Sequence, residues 1–147
     1  MEQRKRATGV SPVGQTIQVR AGILGQLLAQ ARAEASLECC GLLAGRGGVI
    51  ERARPAVNAL ASATEYEIAP AELFRMLKSL RAEGLELLGI YHSHPATENS
   101  PSERDIERAY YPGTPYFIIS PALELPRAVR AFLICDGSVS ELRIETV

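Results

Sequence analysis

The chain has 147 residues, 46% of them hydrophobic, and this length and composition predict one folded domain rather than a disordered chain. A formal net charge of −1 argues against a nucleic-acid partner, and no apolar stretch approaches the roughly 20 residues that a membrane helix needs. The start lacks the apolar core of a secretory signal and the cysteine count is odd, so we expect a cytoplasmic protein with reduced thiols.

The spacing of apolar residues predicts strands and helices that alternate at first, and strands in series near the end of the chain. Alternating polar and apolar residues indicate a half-buried strand, whereas apolar residues three and four apart indicate a helix. Strands are predicted at 15–20, 37–44, 49–56, 65–68, 85–91, 116–120, 128–135 and 139–147, main helices at 21–35 and 70–84, and a short helix at 102–110. This order favours a mixed α/β sheet with two main helices and one short helix.

The ends of the chain and its cysteines complete this outline. Residues 1–14 lack periodicity and predict a flexible N-terminal tail, which leaves 15–147 as the single domain. Asp136 and Gly137 between the last two strands are typical of a hairpin turn. The cysteines have apolar neighbours and are expected to be small buried core residues: Cys39, Cys40 and Cys135.

Two histidines stand where the strand predicted at 85–91 ends. His92 and His94 are the only histidines in the chain, and Pro95 stops the strand behind them. Side chains two residues apart on a strand point to the same face, so the two imidazoles are expected to converge on one point. Taken alone, this pair fits a metal site and a pair of solvated surface histidines equally well.

Asp105 changes that balance. It lies just inside the predicted short helix, and it completes a set of two histidines and one carboxylate, as found in catalytic zinc sites that keep a fourth position for water. Ser102 stands three residues earlier, so the pair also fits a capping arrangement at the start of that helix. The two roles are compatible, because a cap can fix the helix while the carboxylate faces a metal.

Glu38 and Ser102 are the candidate catalytic groups. A carboxylate in an apolar strand is costly unless something pairs with it, and Glu38 beside a metal would be a general base. The alternative is a strand-edge glutamate that faces solvent. Ser102 would donate a hydrogen bond to the oxyanion of a tetrahedral intermediate, or would serve only as the helix cap.

These residues resemble the motif of the JAMM (MPN+) zinc metalloprotease family, and their surroundings resemble its small bacterial stand-alone members. The resemblance implies that one Zn²⁺ per chain is bound by His92, His94 and Asp105, that Glu38 is the acid/base, and that Ser102 stabilises the oxyanion. It also implies a cytidine-deaminase-like α/β fold around a curved sheet.

The same resemblance implies a substrate. Family members cleave peptide or isopeptide bonds after the C-terminal glycines of ubiquitin-like proteins, and bacterial relatives process sulfur carriers, including release of cysteine. The stretch between Asp105 and Tyr116 is short, so the second insertion of eukaryotic deubiquitinases is expected to be missing and a simpler carrier substrate is favoured. The partner's tail is expected to add as a strand near residues 57–68, against these positions: Glu65, Tyr66, Glu67 and Ile68.

Three other functions compete with this one. A zinc deaminase requires a Cys-x-x-Cys pair, which this sequence lacks. A non-catalytic scaffold of the same fold would usually lack one or more of the metal ligands, and all are present here. An aminopeptidase that acts on small peptides stays open, as does the oligomeric state.

Overall fold

A computed structural model describes residues 15–147, in which seven strands close into one curved sheet. The predicted tail, residues 1–14, lies outside the described residues. The elements in chain order are β1 (Thr16–Val19), α1 (Ile23–Ala33), β2 (Cys40–Arg46), β3 (Val49–Ala56), α2 (Pro70–Ala82), β4 (Glu86–Ser93), α3 (Glu103–Glu107), β5 (Tyr116–Ile119), β6 (Val129–Cys135) and β7 (Ser138–Thr146).

The sheet is mixed, as predicted. The strands follow the order β1-β3-β2-β4-β5-β6-β7, and β7 pairs back onto β1 to close the barrel. The β1–β3, β1–β7 and β4–β5 pairs are parallel, and the others are antiparallel. The sequence analysis did not predict the closure, because it depends on pairing the first described strand with the last one.

Two layers of core pack on the two faces of the sheet. Helix α1 buries one stripe spaced as predicted, and these residues pack against the β1, β2 and β5 side of the sheet: Ile23, Leu27, Leu28 and Ala31. Helix α2 covers the other face, but only its Leu80 is fully buried. Full burial of a leucine contributes about 1.5–3 kcal/mol, so α1 is anchored more firmly than α2.

Close packing fixes β2 against β4. A side chain at Gly41 would collide with the ring of Tyr91, whose hydroxyl donates to Gln30 on α1. The glycine therefore lets the tyrosine lie flat across β2 and tie β4 to the helix. Strand β4 carries His92 and leads directly into His94, so this contact helps to position both histidines.

The hairpin turns agree with the sequence. Gly47 and Gly48 both have positive φ, and so do Asp136 and Gly137, as the tightest hairpin turns require. The predicted turn between the last two strands is confirmed.

Four expectations need correction. Residues 65–68 form no strand, because their backbone has no partner strand within the described part of the chain. Glu38 lies just before β2 rather than in it, since the strand begins where Cys40 pairs with β3 and β4. Cys135 is exposed, unlike the other two cysteines. The short helix ends at Glu107, one turn early.

Among residues 15–147, no helix has the length and apolar character to cross a membrane.

Candidate metal centre

The histidines emerge side by side from the C-terminal end of β4. His92 is the last but one residue of the strand and pairs with Cys40 on β2 and Ile118 on β5. The backbone stays in line with β5 for one residue beyond the strand, because the His94 amide donates to the carbonyl of Ile119. The two imidazoles therefore share one face, and both are almost fully buried, with 1% and 4% exposure.

Ser93 between them faces the other way. Its hydroxyl accepts a hydrogen bond from the backbone amide of Cys39 at 2.9 Å. This bond ties the end of β4 to the residue that follows Glu38, so the histidine strand and the Glu38 segment are held together.

Asp105 reaches both histidines from α3. Its Oδ1 lies 3.2 Å from His92 Nε2, and its Oδ2 lies 3.0 Å from His94 Nε2. The two Nε2 atoms are themselves 3.2 Å apart, and one ligand atom from each residue lies within 4.8 Å of the others. Two imidazole nitrogens and a carboxylate at this separation form a donor set that fits a single small cation.

Ser102 and Asp105 also form the predicted capping box. The Asp105 amide donates to Ser102 Oγ at 3.0 Å, and the Ser102 amide donates to Asp105 Oδ2 at 2.9 Å. Both roles expected of Asp105 are therefore geometrically compatible, because the same carboxylate caps the helix and faces the histidines. The cap also fixes the carboxylate's orientation relative to β4.

The protonation of His94 follows from its other nitrogen. Nδ1 lies 2.6 Å from the carbonyl oxygen of Glu98, so it must carry the hydrogen and donate it. In the neutral imidazole the lone pair is therefore on Nε2, the nitrogen that faces Asp105. Burial lowers the pKa of His94, but the hydrogen bonds to Asp105 and to the Glu98 carbonyl outweigh burial and leave the pKa raised.

The pKa values of the other two members of the cluster are both lowered, but for different reasons. Burial lowers the pKa of His92, which favours a neutral imidazole. Burial would raise the pKa of Asp105, but its contacts with the two imidazoles prevail and hold the pKa well below its usual range. An ionised carboxylate beside a neutral buried imidazole is the protonation pattern that metal binding requires.

Glu38 lies beside this cluster on an irregular segment. Its backbone amide donates to the carbonyl of Ser62, and its carbonyl accepts from Asn58 Nδ2. The side chain is buried, and Oε1 has no hydrogen-bond partner among residues 15–147. The alternative interpretation, a glutamate that faces solvent, is therefore wrong. An unpaired buried acceptor is the position from which a carboxylate takes a proton.

Burial also sets the acidity of Glu38. Loss of hydration raises the pKa of this carboxyl to about 7; His94 opposes the rise, and the negative charges of Asp105 and Glu65 add to it. A group with this pKa holds and releases a proton near neutral pH, as a general acid/base must.

Beside His92 and Asp105 lies a cavity of about 380 Å³, and the residues expected to bind substrate border it. Its walls are mostly apolar and aromatic, and they include Tyr66, Ile68 and Tyr116. Glu65 and Arg104 on α3 both line the cavity and form an ion pair of 2.6 Å. Segment 65–68 is therefore next to the metal centre, although it forms no strand.

Sequence reasoning missed two contacts at this site. The ring of Tyr66, which is expected to contact the substrate, stacks on His92, and Asn58 hydrogen-bonds the segment that carries Tyr66. No periodicity or spacing indicates either contact. The small polar composition around Asn58 predicts only a loop, and the alternation at residues 65–68 predicts a strand but not the stack on His92.

Known proteins resemble this chain over most of its length. The family described as prokaryotic homologs of the JAB domain matches residues 20–134. A protein of Mycobacterium tuberculosis named CysO-cysteine peptidase is 33% identical over 131 residues, which are 88% of this chain and 90% of that protein. A protein of Thermus thermophilus named probable TtuB-protein conjugate cleaving protease is 42% identical over 125 residues, 84% of this chain and 80% of that one. The solution structure of a Desulfitobacterium hafniense protein superposes with a TM-score of 0.80 at 35% identity and covers 89% of this chain and 92% of its own.

The raised pKa of Glu38 makes stability depend on pH in a direction that can be measured. The unfolded chain releases this proton near pH 4.5, whereas the folded protein holds it to about pH 7. Stability is therefore lost as the pH rises through this window. In metal-free protein, Glu38→Gln should raise the free energy of unfolding by about 1–3 kcal/mol at pH 8, with a benefit that shrinks towards pH 4.5.

Urea unfolding of chelator-treated wild type and Glu38→Gln between about pH 5 and pH 8 measures the difference. A benefit that stays constant across this range would show that Glu38 is not a buried titrating group.

Proposed function

The chain belongs to the family of prokaryotic homologs of the JAB domain, which confirms the resemblance drawn from its motif, and on that premise we propose that it is a zinc metallopeptidase acting on ubiquitin-like carrier proteins. Its substrate is the bond after the C-terminal Gly-Gly of such a carrier, and its product includes a released amino acid such as cysteine. The observation that carries this proposal is the meeting of both imidazoles and the Asp105 carboxylate, with the buried, unpaired Glu38 near enough to interact electrostatically with His94 and Asp105. The names of the relatives supply the substrate class.

The three ligand side chains fit a metal without rearrangement of their elements. His92 and His94 offer Nε2, and Asp105 offers a carboxylate oxygen, so one further position is left for water or substrate. Zinc held there supplies Lewis-acid chemistry, which lowers the pKa of water towards about 7 and polarises a carbonyl. Two imidazoles with one carboxylate are a common ligand set for catalytic zinc, which is why zinc is proposed.

Glu38 moves the proton. Its unpaired oxygen accepts a proton from the attacking water and delivers it to the leaving amine, which keeps both transfers within one buried group. A pKa of about 7 suits both directions of transfer at neutral pH.

The hydroxyl hydrogen of Ser102 is available for a hydrogen bond to the substrate. Its oxygen accepts from the Asp105 amide in the cap, so the hydroxyl hydrogen is not used by that bond. We propose that this hydrogen is donated to the scissile carbonyl oxygen as negative charge develops there.

The partner's tail docks along the outer edge of segment 65–68. The inner edge is bonded within the loop, through the Glu65 carbonyl and both backbone groups of Glu67. The amides and carbonyls of Tyr66 and Ile68 make no hydrogen bond within the described part of the chain. An unpaired edge with two-residue periodicity accepts an extended peptide as an added strand.

Three further features belong to this proposal: the type of domain, the compartment and the size of the substrate. Residues 15–147 act as a single domain of the cytidine-deaminase-like type, supported by the one closed sheet that includes every strand. The protein works in the cytoplasm, supported by its free cysteines. The connection from α3 to β5 spans only residues 108–115, which leaves no room for a second insertion and favours a small carrier over polyubiquitin.

The central test is hydrolysis of a sulfur carrier that bears one cysteine after its Gly-Gly end. We expect turnover that stops with chelator and returns with Zn²⁺. Glu38→Gln should retain zinc, measured by elemental analysis, yet lose at least about a hundredfold in kcat. The matched control is Glu86→Gln, which removes an exposed carboxylate on the same strand as the histidines and should act as wild type.

Other outcomes would identify the competing functions. Wild type that purifies without stoichiometric metal and without turnover would be a scaffold. Hydrolysis of short peptides but not of the carrier adduct would indicate an aminopeptidase. Full activity in Glu38→Gln would contradict its acid/base role.

Replacing Ser102 separates its two roles. Glycine is nearly as good as serine at a helix N-cap, and its amide still donates to Asp105, so Ser102→Gly should cost only a few tenths of a kcal/mol of stability. It removes the donor, so kcat should fall about a hundredfold to a thousandfold. Ser102→Thr keeps both the cap and the donor and should remain active. Wild-type kcat in the glycine variant would leave Ser102 as a cap alone.

The docking edge is tested at Ile68. Proline there removes the free N–H, so Ile68→Pro should raise the KM for the carrier about tenfold through loss of a strand hydrogen bond, with zinc content unchanged. Ile68→Val keeps the amide and a similar apolar side chain, and it serves as the control. An unchanged KM in the proline variant would remove the docking proposal.

A further inference from the structure

The two histidines of the metal centre are held in different ways. His94 has the usual support for a metal-binding imidazole, because its second nitrogen donates to a backbone carbonyl. The second nitrogen of His92, Nδ1, is buried and finds no hydrogen-bond partner among residues 15–147. His92 is also the more deeply buried of the two, at 1% exposure. Polar contacts therefore hold the ring at Nε2 alone, and no hydrogen bond holds it at Nδ1.

The ring of Tyr66 lies flat on His92. The two ring centroids are 4.4 Å apart, and the planes differ by 19°. His94 contacts His92 at a tilt instead, with 5.0 Å between centroids and 57° between planes. Rotation of the His92 ring about its Cβ–Cγ bond would drive it into the Tyr66 ring. The stacked tyrosine thus holds the plane in which Nε2 faces Asp105.

Tyr66 needs support of its own, because it lies on neither a helix nor a strand. The support comes from the buried side chain of Asn58. Its Oδ1 accepts from the amides of Leu60 and Glu67, and its Nδ2 lies within 3.3 Å of three carbonyls, those of Glu38, Ser62 and Glu65. Two of these five bonds involve the residues on either side of Tyr66.

We propose that Tyr66 is a positioning residue for the metal: its ring holds His92 in the ligand orientation in place of a hydrogen-bond acceptor, and Asn58 holds Tyr66 there. The inference rests on the proposed function, since it assumes that His92 binds a metal. The support reaches Glu38 as well, because Asn58 binds its carbonyl. One side chain thereby sets the position of the tyrosine over the histidine and of the acid/base beside it.

Metal affinity, measured without substrate, tests the role of Tyr66. Loss of the support around a metal ligand typically weakens binding about tenfold to a hundredfold. We expect that loss of Zn²⁺ affinity in Tyr66→Leu, by competition with a chromophoric chelator, together with an altered visible spectrum of the Co²⁺-loaded protein. Tyr66→Phe keeps the ring and should bind within about twofold of wild type.

Tyr110→Leu is the matched control for a tyrosine-to-leucine change. That side chain is 73% exposed, and its replacement should leave metal affinity unchanged. Should Tyr66→Leu not fold, Tyr66→Met fills the volume with a flexible chain that offers no ring face. Urea unfolding of each variant separates a loss of metal affinity from a loss of stability.

A double-mutant cycle tests the route through Asn58. Asn58→Ala should weaken metal binding severalfold in the wild-type background and have little further effect in Tyr66→Leu, because its action passes through the ring. Equal effects of Asn58→Ala in both backgrounds would overturn that route.

These measurements distinguish failure of the proposed function from failure of the inference about Tyr66. If wild type binds no stoichiometric zinc, the proposed function fails and this inference fails with it. If wild type binds zinc and hydrolyses the carrier adduct while Tyr66→Leu keeps wild-type affinity and spectrum, only the inference is overturned.

Discussion

A half-buried carboxylate in contact with two buried imidazoles is the constraint around which the surrounding structure is built. Polar groups removed from water are costly unless every one finds a partner, and the cost is greatest for a charge. The fold meets this demand from several directions: the α3 cap fixes Asp105, a loop carbonyl fixes His94, and the close packing of Tyr91 over Gly41 fixes β4. The three side chains together form the group that could hold a metal ion.

The residues of the site lie on two kinds of backbone. The two histidines and Asp105 come from a central strand, the residue that follows it and a capped helix. Glu38 and Tyr66 come from irregular segments, held by Asn58 and by the Glu65–Arg104 ion pair. The proposed metal ligands thus lie on or directly beside regular structure, whereas the residues proposed as acid/base and as positioning residue lie on backbone that side-chain hydrogen bonds keep in place. Local opening of the 58–68 loop would disturb catalysis before it disturbed the sheet.

The parts of the site that the sequence predicts are those set by local geometry. The face shared by His92 and His94 follows from the two-residue period of a strand, and the Ser102–Asp105 cap follows from one helical turn. Glu38 stands out because a carboxylate beside apolar residues is costly. Its place before β2 does not follow from that, since the start of the strand depends on pairing with β3 and β4.

What the sequence leaves out is set by contacts between distant segments. The strand expected at 65–68 has the right alternation but no neighbouring strand, and alternation does not reveal whether a partner exists. Closure of the barrel joins the two ends of the described chain, and the stack of Tyr66 on His92 joins a loop to a central strand. The exposure of Cys135 is likewise decided by its place at the last hairpin rather than by its apolar neighbours.

The double duty of Asp105 affects how related sequences should be judged. Its carboxylate caps α3 whether or not an ion is bound, so selection for a folded helix alone would preserve an acidic residue at that position. His92 has no comparable second role, because its Nδ1 makes no hydrogen bond within the described chain. In a homologue that has lost the activity, a substitution is therefore expected at the histidine before it is expected at the aspartate. An intact aspartate is weak evidence that a homologue is still active.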